Sequence, residues 1–169
     1  MNPKLARVAL LWNPAATAAR AYLKATEDGT RQLGLKLQSV EVRKPDDLDG
    51  AFAAISRRRA EGVVVVADPV TFSVRARIAR SAARDAVPLI APRREFVDAG
   101  ALLSYGPDPV ERWRRAASYV DKLLKGSKAA ELPVEQPSTF ELVINRKVAK
   151  ALGLTIPQLL LAQANKVIE

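Results

Sequence analysis

Four polar residues in the first half of the chain stand where they could handle a small molecule: Asn13, Thr17, Asp68 and Thr71. Asn13 closes the apolar run Val8-Ala9-Leu10-Leu11-Trp12, and Asp68 closes Gly62-Val63-Val64-Val65-Val66-Ala67. Each is followed at once by a proline, Pro14 or Pro69, which ends a strand and suits the first position of a helix. Where two such strands lie side by side in a parallel sheet, the residues at their C-terminal ends face a ligand crevice. Backbone N–H groups at a helix start receive a carboxylate or a phosphate, and Asp68 would take an amine or a hydroxyl. The chemistry is a non-covalent grip on a small zwitterion or polar metabolite. Each residue also has a plainer account: Asn13 as a helix N-cap, Asp68 and Thr71 as turn or cap residues, Thr17 as a point on a helix face.

Covalent chemistry finds no support. The chain has no cysteine and no histidine, which excludes disulfides, thiolate metal sites and histidine bases. Its 8 glycines form no phosphate-binding loop after the first strand. Asp46, Asp47 and Asp49 read as first-turn helix acids, and Glu95 beside Arg93 and Arg94 fits a surface ion pair as well as a cleft. No catalytic residue, metal or cofactor is expected. The net charge is +9, but the arginines fall in separate clusters without aromatic platforms, so no nucleic acid is expected either. The start, Met1-Asn2-Pro3-Lys4-Leu5-Ala6-Arg7, carries no apolar signal-peptide core, and no later stretch reaches membrane-spanning length. By itself the chain reads as a soluble, cytoplasmic protein without an export signal.

The elements that must position these residues follow from the hydrophobic pattern. A run of four valines has no polar side to show to water and reads as a central strand of a parallel sheet, covered on both faces. Val8–Trp12 is a second buried strand. Leu35–Val42 alternates and reads as an edge strand, and Val87–Pro92 is a fourth, short one. Helices are expected from about Ala15 to Leu33 (Ala19, Leu23, Thr26 and Leu33 inward), from Pro45 (Leu48, Phe52 and Ile55 inward), and from about Thr71 to Asp85 (Val74, Ile78 and Ala82 inward). This β-α-β-α-β-α-β rhythm implies an α/β fold with a doubly wound, mostly parallel sheet of order 2-1-3-4.

After Pro92 the rhythm changes. A strand at 101–106 leads into a helix over 108–126 with a broad apolar stripe through Val110, Trp113, Ala117, Val120 and Leu124. A polar, proline-rich connector runs from Gly126 to Pro137, a length that hints at a crossing between lobes. Phe140–Asn145 is a further strand, followed by helices at Arg146–Leu152 and Pro157–Ile168.

The segments Leu132–Asn145 and Ala149–Pro157 strongly resemble the ABC transporter substrate-binding proteins of the tryptophan/tyrosine type, which have the two-lobed type I periplasmic binding protein fold. Val8–Pro14, Asp46–Phe52, Arg94–Gly100 and Ser104–Asp108 match as well. The resemblance covers the later half of a family member. It implies that 7–92 and 138–169 form one ligand-binding lobe, with 93–137 a crossover whose strand and helix belong to a first lobe absent here. It also implies a small amino-acid-like or aromatic solute held at Asn13, Thr17 and Asp68, an ABC permease as partner, and a periplasmic location; Thr71 remains a candidate only from its place in the loop after Asp68. Without the first lobe, the stripe through Trp113, Val120 and Leu124 should fold back onto this lobe or be covered by a second copy in a homodimer. Two other readings remain open: a cytoplasmic ligand-sensing domain of the same fold, and a basic nucleic-acid-binding protein.

Overall fold

Runs of β-branched and leucine side chains with no polar face become the strands of one sheet. The computed structural model describes residues 5–169; Met1–Lys4, read above as running straight into the first strand, lie outside the described residues. The strands are β1 (Arg7–Trp12), β2 (Lys36–Glu41), β3 (Val63–Val65), β4 (Leu89–Ala91), β5 (Leu103–Pro107), β6 (Phe140–Asn145) and β7 (Lys166–Ile168). Their order is β2-β1-β3-β4-β5-β6-β7, so the expected 2-1-3-4 arrangement is the one found. Every pair is parallel except β5 with β6.

Alternate strand residues face opposite helix layers. Ala9, Leu11, Val63, Val65, Leu89 and Ala91 meet the main core, supplied by α2 (Leu48–Arg57), α4 (Arg75–Arg84) and α5 (Arg94–Asp98). Phe52, Ile55, Ile78 and Phe96 fill it and are completely buried. On the other face, Leu10, Trp12 and Val66 pack on Ala19 of α1 (Ala19–Gln32). Further along that face, Leu103, Leu142 and Ile144 pack near α7 (Arg146–Ala151) and α8 (Gln158–Ala162). Between α1 and this second group the sheet is only partly roofed. Val64 and Ile90 are half-buried, and an apolar cavity of about 490 Å³ opens against Val8, Val64, Ile90, Leu103, Leu154 and Ile156. The valine run is therefore covered fully on one face and partly on the other.

Several elements differ from expectation, each for a local reason. The first helix starts at Ala19, not near Ala15. The Asn13 side chain accepts the Ala15 N–H at 3.0 Å, and the Ala16 N–H donates to the Asn13 carbonyl at 3.1 Å, which makes 14–18 a turn. Leu33 is 74% exposed, and Thr30 takes the inward position instead, its hydroxyl bonded to the Thr26 carbonyl. The helix expected from Thr71 is two: α3 (Pro69–Ser73), then α4, with the chain changing direction at Val74. The final helix stops at Ala162, because Asn165 bonds Leu142 through both its backbone N–H and its side chain and draws Lys166–Ile168 into the sheet.

The strand expected at 101–106 is β5, the fifth member of the same continuous sheet. It is bonded to β4 on one side and β6 on the other, so it does not stand apart from residues 7–92. Only α6 (Pro109–Leu124) leaves the body, capped by Asp108, whose carboxylate accepts the Val110 N–H at 2.8 Å. The fold-back expected for its stripe does not occur. Trp113 is 77% exposed and Leu124 83%, and no α6 residue is buried. The helix packs instead on its own connector. The Tyr119 hydroxyl donates to the Pro133 carbonyl at 2.5 Å, Arg115 pairs with Glu135, and a cavity of about 540 Å³ lies between the two segments.

Candidate functional site

β1 and β3 are hydrogen-bonded neighbours, with Leu11 level with Val65. Their C-terminal ends therefore emerge about 4.8 Å apart, and the residues that follow can meet. They do: Asn13 Nδ2 donates to Asp68 Oδ2 at 2.6 Å. Both residues are buried, at 6% and 8% exposure. The amide is used from both ends, since its Oδ1 secures the turn through Ala15.

Asp68 is also the N-cap of α3. Its Oδ1 accepts the Thr71 N–H at 2.8 Å and the Thr71 hydroxyl at 2.7 Å, while its own N–H donates to Thr71 Oγ1 at 3.0 Å. This reciprocal cap holds the carboxylate in one orientation. Thr71 is completely buried, and its hydroxyl also lies 2.9 Å from the Val66 carbonyl. It is enclosed, and its reach toward the edge of the sheet runs through Asp68. Thr17 is exposed in the turn before α1, and its hydroxyl has no partner among the described residues. Three of the four residues singled out from the sequence thus form one bonded group, and the fourth stands beside it in the open.

The arrangement is a rigid, desolvated carboxylate with three neutral donors, two from Thr71 on Oδ1 and one from Asn13 on Oδ2. No ion pair engages Asp68 among the described residues, and buried charges are ordinarily paired. A positively charged or hydroxylic ligand group would complete it. Reasoning from sequence did not place Phe72 and Arg93 near this edge, yet both belong to it. The Phe72 N–H donates to the Asp68 carbonyl at 2.9 Å, and the Arg93 guanidinium lies 4.4 Å from the centre of the Phe72 ring. Arg93 follows the end of β4 by two residues, and that position was the signal available. Farther along the edge Tyr105 stacks on Phe140 at 5.4 Å, both of them substantially exposed. Among the described residues no three metal-ligating side chains cluster, and no helix is long and apolar enough to cross a membrane.

The sequence profile of ABC transporter substrate-binding proteins matches residues 1–168. The chain belongs to this family. A tyrosine-binding protein of Clostridioides difficile is 19% identical over 154 residues, covering 91% of this chain and 44% of the relative. Among solved structures, a conserved domain protein of Vibrio cholerae superposes with a TM-score of 0.89 at 25% identity over 98% of this chain and 55% of its own. An ABC domain from Streptococcus pneumonia, solved with L-Trp, gives a TM-score of 0.88 at 23% identity over 99% of this chain and 58% of its own. The chain therefore spans about half the length of the substrate-binding proteins it matches. The family is one of solute-binding proteins, not of enzymes, and its mostly parallel α/β sheet is the architecture found here.

Proposed function

We propose that this chain contributes the solute site of an ABC-type uptake system, and that it binds a small amino-acid-like or aromatic solute without covalent chemistry. The observation that carries the reading is the Asn13–Asp68 contact at the ends of two central parallel strands. Asp68 would receive the ammonium group of the solute, Asn13 would hold Asp68 in place and offer its second Nδ2 proton, and Thr17 would close over from the turn. Thr71 fixes the carboxylate from beneath. The relatives that bind tyrosine and L-Trp favour an aromatic amino acid as the first ligand to try.

In this reading residues 7–92 and 138–169, joined through β5 between them, make one lobe of a two-lobed periplasmic protein that delivers its solute to an ABC permease. The exposed stripe of α6 is then the surface on which the other lobe sits, or a second copy of this chain where that lobe is lacking. Calorimetric titration with L-tryptophan and L-tyrosine, then with the other amino acids, tests the site. Saturable binding is expected, weakened about tenfold or more by Asp68→Asn, the scale of losing a hydrogen bond to a charged group. Absence of heat and of any thermal shift with every amino acid would refute the reading.

A further inference from the structure

Three adjacent strands, β1, β3 and β4, end on the same edge of the sheet in a polar side chain each: Asn13, Asp68 and Arg93. The first two make up the acid half of the site. We infer that the Arg93 guanidinium is its other half, the group that receives the carboxylate of the solute, so that the site selects zwitterions over plain amines. This rests on the solute-binding reading above.

Placement comes first. β3 and β4 are paired neighbours, and Phe72 stands one helical turn beyond Asp68, its N–H bonded to the Asp68 carbonyl. Arg93 covers that ring at 4.4 Å, so the carboxylate and the guanidinium flank a single turn of α3. With α1 beginning only at Ala19, its first-turn N–H groups lie beyond the 14–18 turn and not directly at Asn13. The sequence had given these groups the task of holding a carboxylate.

Geometry and charge come next. Glu95 occupies one edge of the guanidinium, accepting from Nε at 3.2 Å and from Nη2 at 2.5 Å. The second edge, formed by Nη1 and the other Nη2 proton, has no partner among the described residues. That fork matches a carboxylate in bidentate fashion. Arg93 is half-exposed, with a side-chain exposure of 49%, so the fork is accessible. A second guanidinium, Arg75, lies 4.6 Å from the same ring and is tied to the Phe72 carbonyl at 3.0 Å. Two guanidinium groups against the single Glu95 carboxylate leave the ring with net positive charge. Phe96 meets the ring edge-on at 6.1 Å and holds it in place. Glu95 therefore orients Arg93 without using it up.

The test is calorimetry on the full chain with two matched pairs, L-tryptophan with tryptamine and L-tyrosine with tyramine. The wild type should prefer each amino acid over its amine. Arg93→Met should lower affinity for the amino acid about tenfold or more and leave the amine unchanged, so that the preference collapses. Arg93→Lys should restore part of it, which also guards against a misfolded Met variant. Wild-type binding with the same preference in Arg93→Met, or an equal loss for both members of a pair, would overturn the assignment of Arg93 alone. A wild type that binds neither these two nor any other amino acid would overturn the solute-binding reading and this inference together.

Discussion

Thr71 shows how one buried hydroxyl can fix a carboxylate at the end of a strand. Its hydroxyl accepts the Asp68 N–H and has one proton to share between Asp68 Oδ1 and the Val66 carbonyl, all without contact with solvent. Thr71→Val keeps the shape and removes these bonds, so the variant should lose about 1–3 kcal/mol of stability, the cost of orphaning buried polar groups. Urea denaturation measures it, and a change below half a kcal/mol would contradict the role given to the cap. Asp85 offers a second test, by pH. The hydrogen bond from Arg84 holds its carboxyl below the ordinary value of 3.8; burial pushes the other way, and Ser56 adds a further donor. A carboxyl lowered by folding stabilises the protein above its unfolded value, and that contribution is lost as pH falls through the folded one. The melting temperature of the wild type should therefore exceed that of Asp85→Asn near neutrality. The gap should close in acid below the ordinary carboxylate range, and a gap that widens there would reverse the sign.

Among the elements, the close passage of β5 past the end of β4 is the tightest. A Cβ on Gly106 would come within 2.1 Å of the Pro92 carbonyl oxygen, a backbone atom that cannot swing aside. Gly106→Ala should therefore part the two chains beside Arg93. A cost of about 1–3 kcal/mol or more is expected from overpacking, read as a lower midpoint in thermal unfolding. An unchanged midpoint would show that the edge yields easily. The strands of the first half were legible in the sequence because buried parallel strands carry continuous β-branched or leucine runs, and prolines mark their ends. The site was legible in part for the same reason: Asn13 and Asp68 follow such runs directly. The start of α1 was not, since Asn-Pro serves a tight turn as well as a helix cap, and only the Ala15 bond decides between them. The break at Val74 and the strand β7 were hidden as well. Val74, Ile78 and Ala82 keep helical spacing across the bend, and Leu159 to Ile168 resembles an amphipathic helix until Asn165 pairs with β6. Arg93 was read only beside Glu95, as an ion pair on the surface or at a cleft, because the sequence does not show which strand ends beside which.

At the level of the whole molecule, α6 stands off the body with Trp113, Val120 and Leu124 in solvent. Exposed apolar patches of this kind are candidates for contact with other protein, a membrane or a ligand, or for aggregation. Light scattering over a concentration series should show association of the wild type, abolished in Trp113→Ser/Val120→Ser/Leu124→Gln. Because these side chains are largely exposed, the melting temperature of the dilute triple variant should remain within a few degrees of the wild type. A wild type that stays monomeric throughout would show that the stripe attracts no second copy.

The same excursion begins and ends at one place. Pro107 pairs with Phe140 across antiparallel β5 and β6, and the Asp108 N–H bonds the Thr139 carbonyl just beyond them. Topologically, residues 108–139 are the loop of a β-hairpin, grown very long. Such a loop can be lengthened, exchanged or shortened to a tight turn without rethreading the sheet. The fold could thus gain or shed its distal piece by simple insertion and deletion, while the strand ends that carry Asn13, Asp68 and Arg93 keep their places.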